Sequence, residues 1–554
     1  MKGVGNLNKI QIKNIRSLKD TGQVALSPIT LLVGENSSGK STFLRLFPLI
    51  KQSISKRTDG PLLWAGDVDD YVDFGSFAET ITNDGSTDII LCFSFPIQKS
   101  INYLTYGETR IARSFPDFMD LIKNLSDGIN VQYSITISQS NGHEYISDLK
   151  VQLNQSQFEF SLPPTDKWKE SKGGAILVDG KPFSYYSTRK KGQSFRYSFG
   201  GEFAMSENFG YVLPSRSGIV DKLLREFMDV IPEELEEDDF AFRHFRDSPI
   251  GFMKLIGRCL CLGATWEEIQ AHLTLWKRGG PDTAGEMLQE LVHRLRSLDD
   301  KHIQELLPAF KLLFFYNFFS SIEDYLKTYF RQVHYIAPLR ATAERYYRLR
   351  NLAIDEVDYQ GKNLAMFLSG LTEGRLRKLQ QWTQQYFGFH VIVAKNGGHL
   401  SVKIALTVGG DPINMSDTGF GYSQILPIIT QLWDLSTKTH PRDEKVPLVI
   451  AIEQPELHLH PALQARLAKA LLSSIQLAKE NGYHLQLIIE THSETIVNYF
   501  GLAIANGALQ KQDVSVVLFD KDLQTKHTQV QSSSYDQDGY LQNWPVGFFA
   551  PKEW

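Results

Sequence analysis

Gly34-Glu35-Asn36-Ser37-Ser38-Gly39-Lys40-Ser41 is the stretch that decides the reading of this chain. Before it, Ile29-Thr30-Leu31-Leu32-Val33 is an apolar run suited to a buried strand. After it, Thr42 to Ile50 sets Phe43, Leu46, Phe47 and Ile50 on one helical side. Strand, loop and helix in that order are the context a phosphate-cradling loop requires. Glycine permits the tight turn and lets backbone N–H groups converge on an anion. Lys40 offers a point charge to β- and γ-phosphates, and the Ser41 hydroxyl can ligate Mg²⁺. The helix start aims its positive end at the same place. Asn36, Ser37, Ser38, Gly39, Lys40, Ser41 and Thr42 are therefore expected to line a nucleotide's phosphates. The plain alternative is a chance Gly/Ser turn, which the full eight-residue match behind a strand disfavours.

Three later stretches join this loop. Leu448-Val449-Ile450-Ala451-Ile452 reads as a buried strand ending in Glu453, a carboxylate able to hold Mg²⁺ directly or through water. Gln454-Pro455-Glu456 follows, and Thr491-His492-Ser493 follows the apolar strand Leu485 to Glu490. Ser416-Asp417-Thr418-Gly419-Phe420-Gly421-Tyr422-Ser423-Gln424 opens the apolar helical run Ile425 to Leu432. Its Gly419, Gly421, Ser423 and Gln424 make a second anion-binding edge. A chain owning one phosphate loop has little use for a second in the same site, so the simplest arrangement caps the γ-phosphate of another copy. Glu453, Gln454, His492 and Glu456 are the candidate catalytic residues, and Ser41 with Glu453 the candidate Mg²⁺ ligands. Gln454 can orient water but is a poor proton acceptor, so slow turnover is expected, with Glu456 a candidate helper. His458 and His460 have a spacing metal ligands can use; no third ligand is evident, so packing where subunits meet is the expected role.

Composition bounds the rest. A chain of 554 residues, 42% hydrophobic and 22% charged, is long enough for two or three domains with a sizeable core. Its net charge of −5 gives no global argument for nucleic acid, though a local basic surface is compatible with it. Cys92, Cys259 and Cys261 are too few for a disulfide framework and fit a reducing cytoplasm, the expected location. Met1 to Ile10 lacks an apolar signal core. Leu312 to Phe319, the greasiest stretch, is far short of the ~20 apolar residues a membrane span needs and is expected to plug a helical core.

The organisation is split. Lys9-Ile10-Gln11-Ile12-Lys13 alternates as a strand, and Ala25 to Val33 reads as a second. Thr87 to Phe95, Val131 to Ile137, Glu144 to Leu153 and Gln157 to Leu162 suggest an antiparallel sheet inserted after the first helix. From about Lys222 to Phe330 the pattern is helical, with a solvated acidic run at 233–239. Strands and helices alternate from 448 to 519, which implies a parallel sheet. The expected division is 1–215 and 333–554 for two parts of one α/β head, the first carrying the antiparallel insertion, with a mainly helical insertion at 216–332.

Lys9 to Ser17, the glycine loop, Gly419 to Gln424, Glu453 to Pro461 and Glu490 to Ser493 resemble the ABC-type ATPases of the SMC/RecF and overcoming-lysogenization-defect class. Tyr335-Ile336-Ala337-Pro338-Leu339-Arg340 and the stretch Gly539 to Phe549 are similar to the PtuA-like ATPases of Septu and retron anti-phage defence systems. The resemblance implies an ABC-type head that binds ATP and Mg²⁺ in a sandwich homodimer or higher assembly. It also implies a separate HNH-type, PtuB-like nuclease partner and, in retrons, reverse transcriptase and multicopy single-stranded DNA. Two departures stand out: no Gln-bearing loop follows the first helix, and Gln454 stands where the class usually carries glutamate.

Other readings stay open. One is a RecF/SMC-like repair ATPase acting directly on DNA; another is a nucleotide-gated scaffold that never hydrolyses. Basic-aromatic stretches at 185–197 and 340–350 are candidate surfaces for nucleic acid or a partner, and Arg340 could instead sense nucleotide. Asp520-Lys521-Asp522 matches an acidic triplet of Toprim nucleases, yet it sits where a plain hairpin is expected.

Overall fold

The apolar runs around the glycine loop assemble into one sheet. The computed structural model describes residues 7–56, 58–67, 70–98, 128–162, 164, 175–183, 252–275, 291–293, 295–297, 299–350, 354–406, 410–437, 446–522 and 524–544. The basic-aromatic stretch at 185–197, the acidic run at 233–239 and the end of the PtuA-like stretch, 545–549, lie outside these residues. Two compact units divide the chain: Met1–Ser55, Leu62–Ser86 and Thr328–Trp554 form one, and Lys56–Pro61 with Thr87–Lys327 the other. The inserted strands and the helical segments before Thr328 share a unit.

The first unit is built on a seven-stranded sheet. Its spatial order is Val333–Ile336, Leu448–Glu453, Leu485–Glu490, Ile29–Gly34, Val514–Lys521, Thr528–Tyr535 and Leu541–Gln542. The first five strands are parallel and the last two antiparallel. The parallel strands read as unbroken apolar runs because both faces are covered. One face, with Leu31, Ile450, Leu487 and Val516, packs into a core shared with helices Phe420–Thr437, Pro461–Glu480 and Glu494–Ala505. Residues one position along point the other way: Phe519 meets Phe43 of helix Lys40–Ser55 edge-on, 5.6 Å between ring centres. Parallel strands end along one edge, so Gly34, Glu453 and Glu490 share it.

Two expected elements are interrupted. The strand expected over Ala25 to Val33 is two strands, Val24–Ala25 and Ile29–Gly34. Pro28 lacks a ladder donor, and the Ser27 N–H donates to Thr30 Oγ1 at 3.1 Å, turning the chain from an antiparallel pair with Lys9–Ile15 into the parallel sheet. The helical run Leu364 to Phe387 is likewise two helices, Leu364–Gly370 and Glu373–Phe387, because Thr372 caps the second through the Arg375 N–H. Asp520 and Lys521 lie in the expected hairpin, paired with Gln529 and Thr528, and Asp522 caps its turn by accepting from the Gln524 N–H at 2.7 Å.

The second unit carries an antiparallel series: Asp88–Gln98, Gly128–Ser140, His143–Leu153, Ser156–Ser161, Ala175–Val178 and Lys181–Pro182. Against it lies helix Asp300–Arg331, whose last turn belongs to the first unit. Phe315 stacks on Phe158 at 4.3 Å and Phe319 on Tyr133 at 6.4 Å, so the greasy run plugs a core as expected. Among the described residues no helix is long and apolar enough to cross a membrane.

Helix Glu494–Ala505 and the turn after strand Thr528–Tyr535 meet backbone to backbone. A Cβ added at Gly501 would stand 2.4 Å from the Gly539 carbonyl oxygen. Gly501→Ala is therefore expected to cost about 1–3 kcal/mol, read as a lower denaturation midpoint; an unchanged midpoint would show that the turn yields freely.

Candidate functional site

The glycine loop is held from both sides. Gly34 has no room for a side chain, since an added Cβ would lie 2.3 Å from the Phe519 carbonyl oxygen. Ser37 and Gly39 adopt φ of 59° and 95°, the left-handed region that closes the loop. Thr528 Oγ1 donates to the Ser38 carbonyl at 2.8 Å and lies 3.0 Å from Ser17 Oγ. Lys40 is buried, and its ammonium donates to the carbonyls of Gly34 and Glu35 at 3.0 and 2.6 Å. Burial lowers its pKa, and Glu490, Glu456 and Glu35 oppose that shift.

Glu453 and Glu490 stand side by side in register on neighbouring strands, yet their partners differ. Glu453 is clamped: Arg45 Nε donates to Oε1 at 2.7 Å, Arg45 Nη2 to Oε2 at 2.8 Å, and the Tyr335 hydroxyl to Oε1 at 2.8 Å. This bidentate pair raises the Arg45 pKa further. Burial, and then Glu453, raise that of Tyr335. The Ser41 hydroxyl instead donates to Glu490 Oε1 at 2.8 Å, and Gln454 Nε2 lies 3.4 Å from the same oxygen. Burial, then the neighbouring Glu453 charge, push the Glu490 carboxyl up to about 7.

The loops beyond the strands close in on this pair. Gln454 has φ of 41°, and its N–H donates to the Glu490 carbonyl at 2.9 Å. Glu456 accepts from the His492 N–H at 2.7 Å and from Thr491 Oγ1 at 2.9 Å; burial raises its pKa. His492 is driven down to about 4 by burial and then by Lys40, so its imidazole is neutral at pH 7. Arg340, for which the sequence left open a basic surface or a nucleotide-sensing role, is buried: Nη2 donates to the Glu453 carbonyl at 3.0 Å and lies 3.3 Å from that of Gln454. Burial lowers its pKa to about 10, while Glu456, Tyr335 and Glu453 hold it up.

Three of these residues keep buried polar atoms with no partner: Arg340 Nε and Nη1, Glu490 Oε2 and His492 Nε2. Buried polar atoms are ordinarily hydrogen-bonded, and each unsatisfied one costs stability. A donor pair, a carboxylate oxygen and an imidazole nitrogen beside a phosphate loop fit a triphosphate and a Mg²⁺ ion. No cluster of three or more His, Cys, Asp or Glu with metal-ligating geometry occurs among the described residues.

The stretch Gly419 to Gln424, expected to form a second anion-binding edge, opens a helix. Gly419 has φ of 87° and starts helix Phe420–Thr437. Ser423 and Gln424 are buried: the Ser423 hydroxyl donates to the Phe420 carbonyl, and Gln424 Nε2 lies 3.4 Å from the Arg340 carbonyl. Gly421 is close to the His458 carbonyl, and Phe420, 47% exposed, meets the His458 ring edge-on at 4.8 Å. His460 accepts from the Ala462 N–H as a helix cap.

Sequence reasoning missed Arg45, Tyr335 and Glu490 as site residues. Arg45 is one helical turn beyond Ser41, and Glu490 ends an apolar strand just as Glu453 does, so both left a signal. Tyr335 left none; its partner lies 118 residues away.

A family model described as an AAA ATPase domain matches residues 6–175 and 265–497. That is well over half of the chain, which belongs to this family of ATPase domains. The fold class expected from the sequence, an α/β ATPase head with an antiparallel β insertion, is the one observed. Among solved structures, the SMC head domain from Thermotoga maritima is similar over 95% of this chain and 98% of its own, at 9% identity and a TM-score of 0.31. The recombination mediator protein RecF-ATPrS of the RecFOR pathway is similar over 95% of this chain and 98% of its own, at 12% identity and a TM-score of 0.24. RecF with ATP is similar over 98% of both chains, at 11% and 0.25. No curated protein matches the chain.

Removing one partner of a buried ion pair strands the other charge. Arg45→Met is expected to destabilise the protein by about 3–5 kcal/mol. Arg345→Ala, which breaks the exposed pair with Asp417, is expected to cost less than about 1 kcal/mol. Chemical denaturation of both variants checks the contrast.

Proposed function

We propose that this protein is an ABC-type ATPase whose ATP-bound dimer scaffolds and restrains a separate HNH-type nuclease in anti-phage defence. The observation that carries the ATP reading is the convergence of Lys40, Ser41, Glu490, Gln454, His492 and Arg340 at one sheet edge, with unpartnered buried atoms on Glu490, His492 and Arg340. Lys40 exchanges its loop carbonyls for the β- and γ-phosphates, and the helix beginning at Lys40 adds its N–H groups. Ser41 and a strand-end carboxylate would hold Mg²⁺, whose charge would offset that developing on the phosphates. Gln454 orients water near the γ-phosphate, and neutral His492 donates to or accepts from it.

Self-association is supported by what surrounds the second anion-binding edge. Leu339, Tyr346, Leu349, Leu406, Ile413 and Phe420 are exposed large apolar side chains within one part of the chain. Tyr346 packs on His399, Arg345 pairs with Asp417, and Asn414 Nδ2 donates to the Arg345 carbonyl, so these segments adjoin. Exposed apolar groups in such number favour a partner surface. A nucleotide shared by two copies would stabilise their association. The defence role rests on the PtuA-like stretches, on the hairpin that contains Asp520 and Asp522, and on Gln454, whose poor basicity suits a slow switch. The reverse transcriptase and multicopy DNA of a retron would be further partners of the same assembly.

One observation favours a scaffold that never hydrolyses. Glu453 is clamped by Arg45 and the neighbouring position is an amide, so neither offers a free base.

Two measurements test these readings. Light scattering is expected to show ATP-dependent dimers that Lys40→Ala abolishes; nuclease activity of the complex with its HNH partner that ignores Lys40→Ala would sink the control model. Phosphate release by the wild type is expected to be slow and to rise on the order of tenfold or more in Gln454→Glu, a general-base gain. No release from either protein would establish the non-hydrolysing scaffold.

A further inference from the structure

We infer that Glu490, and not Glu453, supplies the carboxylate for the site's Mg²⁺, an assignment that rests on the ATP-binding reading above. The strand-end position of Glu453 makes it the natural sequence candidate. Its two oxygens, however, are both spent on Arg45, and Oε1 also accepts from Tyr335. To ligate a metal directly it would have to loosen its buried bidentate pair with Arg45. Glu456 is equally committed, one oxygen to the His492 N–H and the other to Thr491. Gln454 is neutral.

Glu490 is placed differently. Its Oε1 touches the hydroxyl of Ser41, the loop residue expected to ligate the ion, at 2.8 Å. Two adjacent ligands of an octahedral Mg²⁺ shell at about 2.0–2.1 Å stand roughly 2.9 Å apart. The two oxygens thus already have the separation of neighbouring ligands. The other oxygen, Oε2, is buried and has no partner. Glu490 is the uncommitted carboxylate beside Ser41.

The test uses the full chain and a fluorescent ATP analogue, titrated in EDTA and in Mg²⁺. Wild type is expected to gain about tenfold or more in affinity from Mg²⁺; Glu490→Gln is expected to lose that gain and keep its EDTA affinity. Glu453→Gln is expected to keep the gain while its unfolding midpoint falls. Glu490→Cys provides a reading that misfolding cannot imitate: a soft thiolate should restore the gain with Cd²⁺ and not with Mg²⁺. A Mg²⁺ gain retained in Glu490→Gln, or Cd²⁺ rescue in Glu453→Cys instead, overturns the assignment. Wild type that binds no nucleotide in either condition overturns the ATP reading on which it rests.

Discussion

The site depends on one ion pair, the bidentate clamp of Arg45 on Glu453. It ties the helix behind the phosphate loop to the second parallel strand, and Tyr335 joins the first strand to the same carboxylate. Arg340 adds a hold on the backbone just beyond, at the carbonyl of Glu453. Three elements are thereby positioned around one charge. A carboxylate this deeply buried is tolerable only when both oxygens are satisfied. The clamp also settles the charge balance of the edge: with Glu453 neutralised, Glu490 is the carboxylate left facing Ser41.

That balance gives Gln454 a physical reason. Its amide nitrogen lies 3.4 Å from Glu490 Oε1. A glutamate in its place would set a third carboxylate beside two that are already adjacent in register. Like charges this close resist ionising together. The amide avoids the repulsion and adds a weak contact to the carboxylate, at the expense of proton-accepting power.

Much of the architecture was legible because it rests on local pattern. Unbroken apolar runs marked the parallel strands, alternation marked the antiparallel insertion, and glycine spacing marked the loop. The errors came where a single residue overrides a run: Pro28 splits one strand, and the Thr372 cap splits one helix. The loop residues Lys40 and Ser41 were found because neighbours in sequence make them. The different partners of Glu453 and Glu490 were not legible. Both end apolar strands, and only tertiary contacts from Arg45 and Ser41, more than 400 residues earlier in the chain, tell them apart. Arg340 misled for a similar reason, since its basic neighbours are exposed while it is buried.

Thr528 props the loop by donating to the Ser38 carbonyl across a separation of 490 residues. The strand feeding that loop, Ile29–Gly34, lies between Leu485–Glu490 and Val514–Lys521. Its seat therefore does not exist until Val514–Lys521 and Thr528 have been made. Contacts this remote come late in folding. A ribosome-bound fragment that stops short of them carries the loop's sequence without its shape, so nucleotide capture by this head waits for residues some 490 positions downstream.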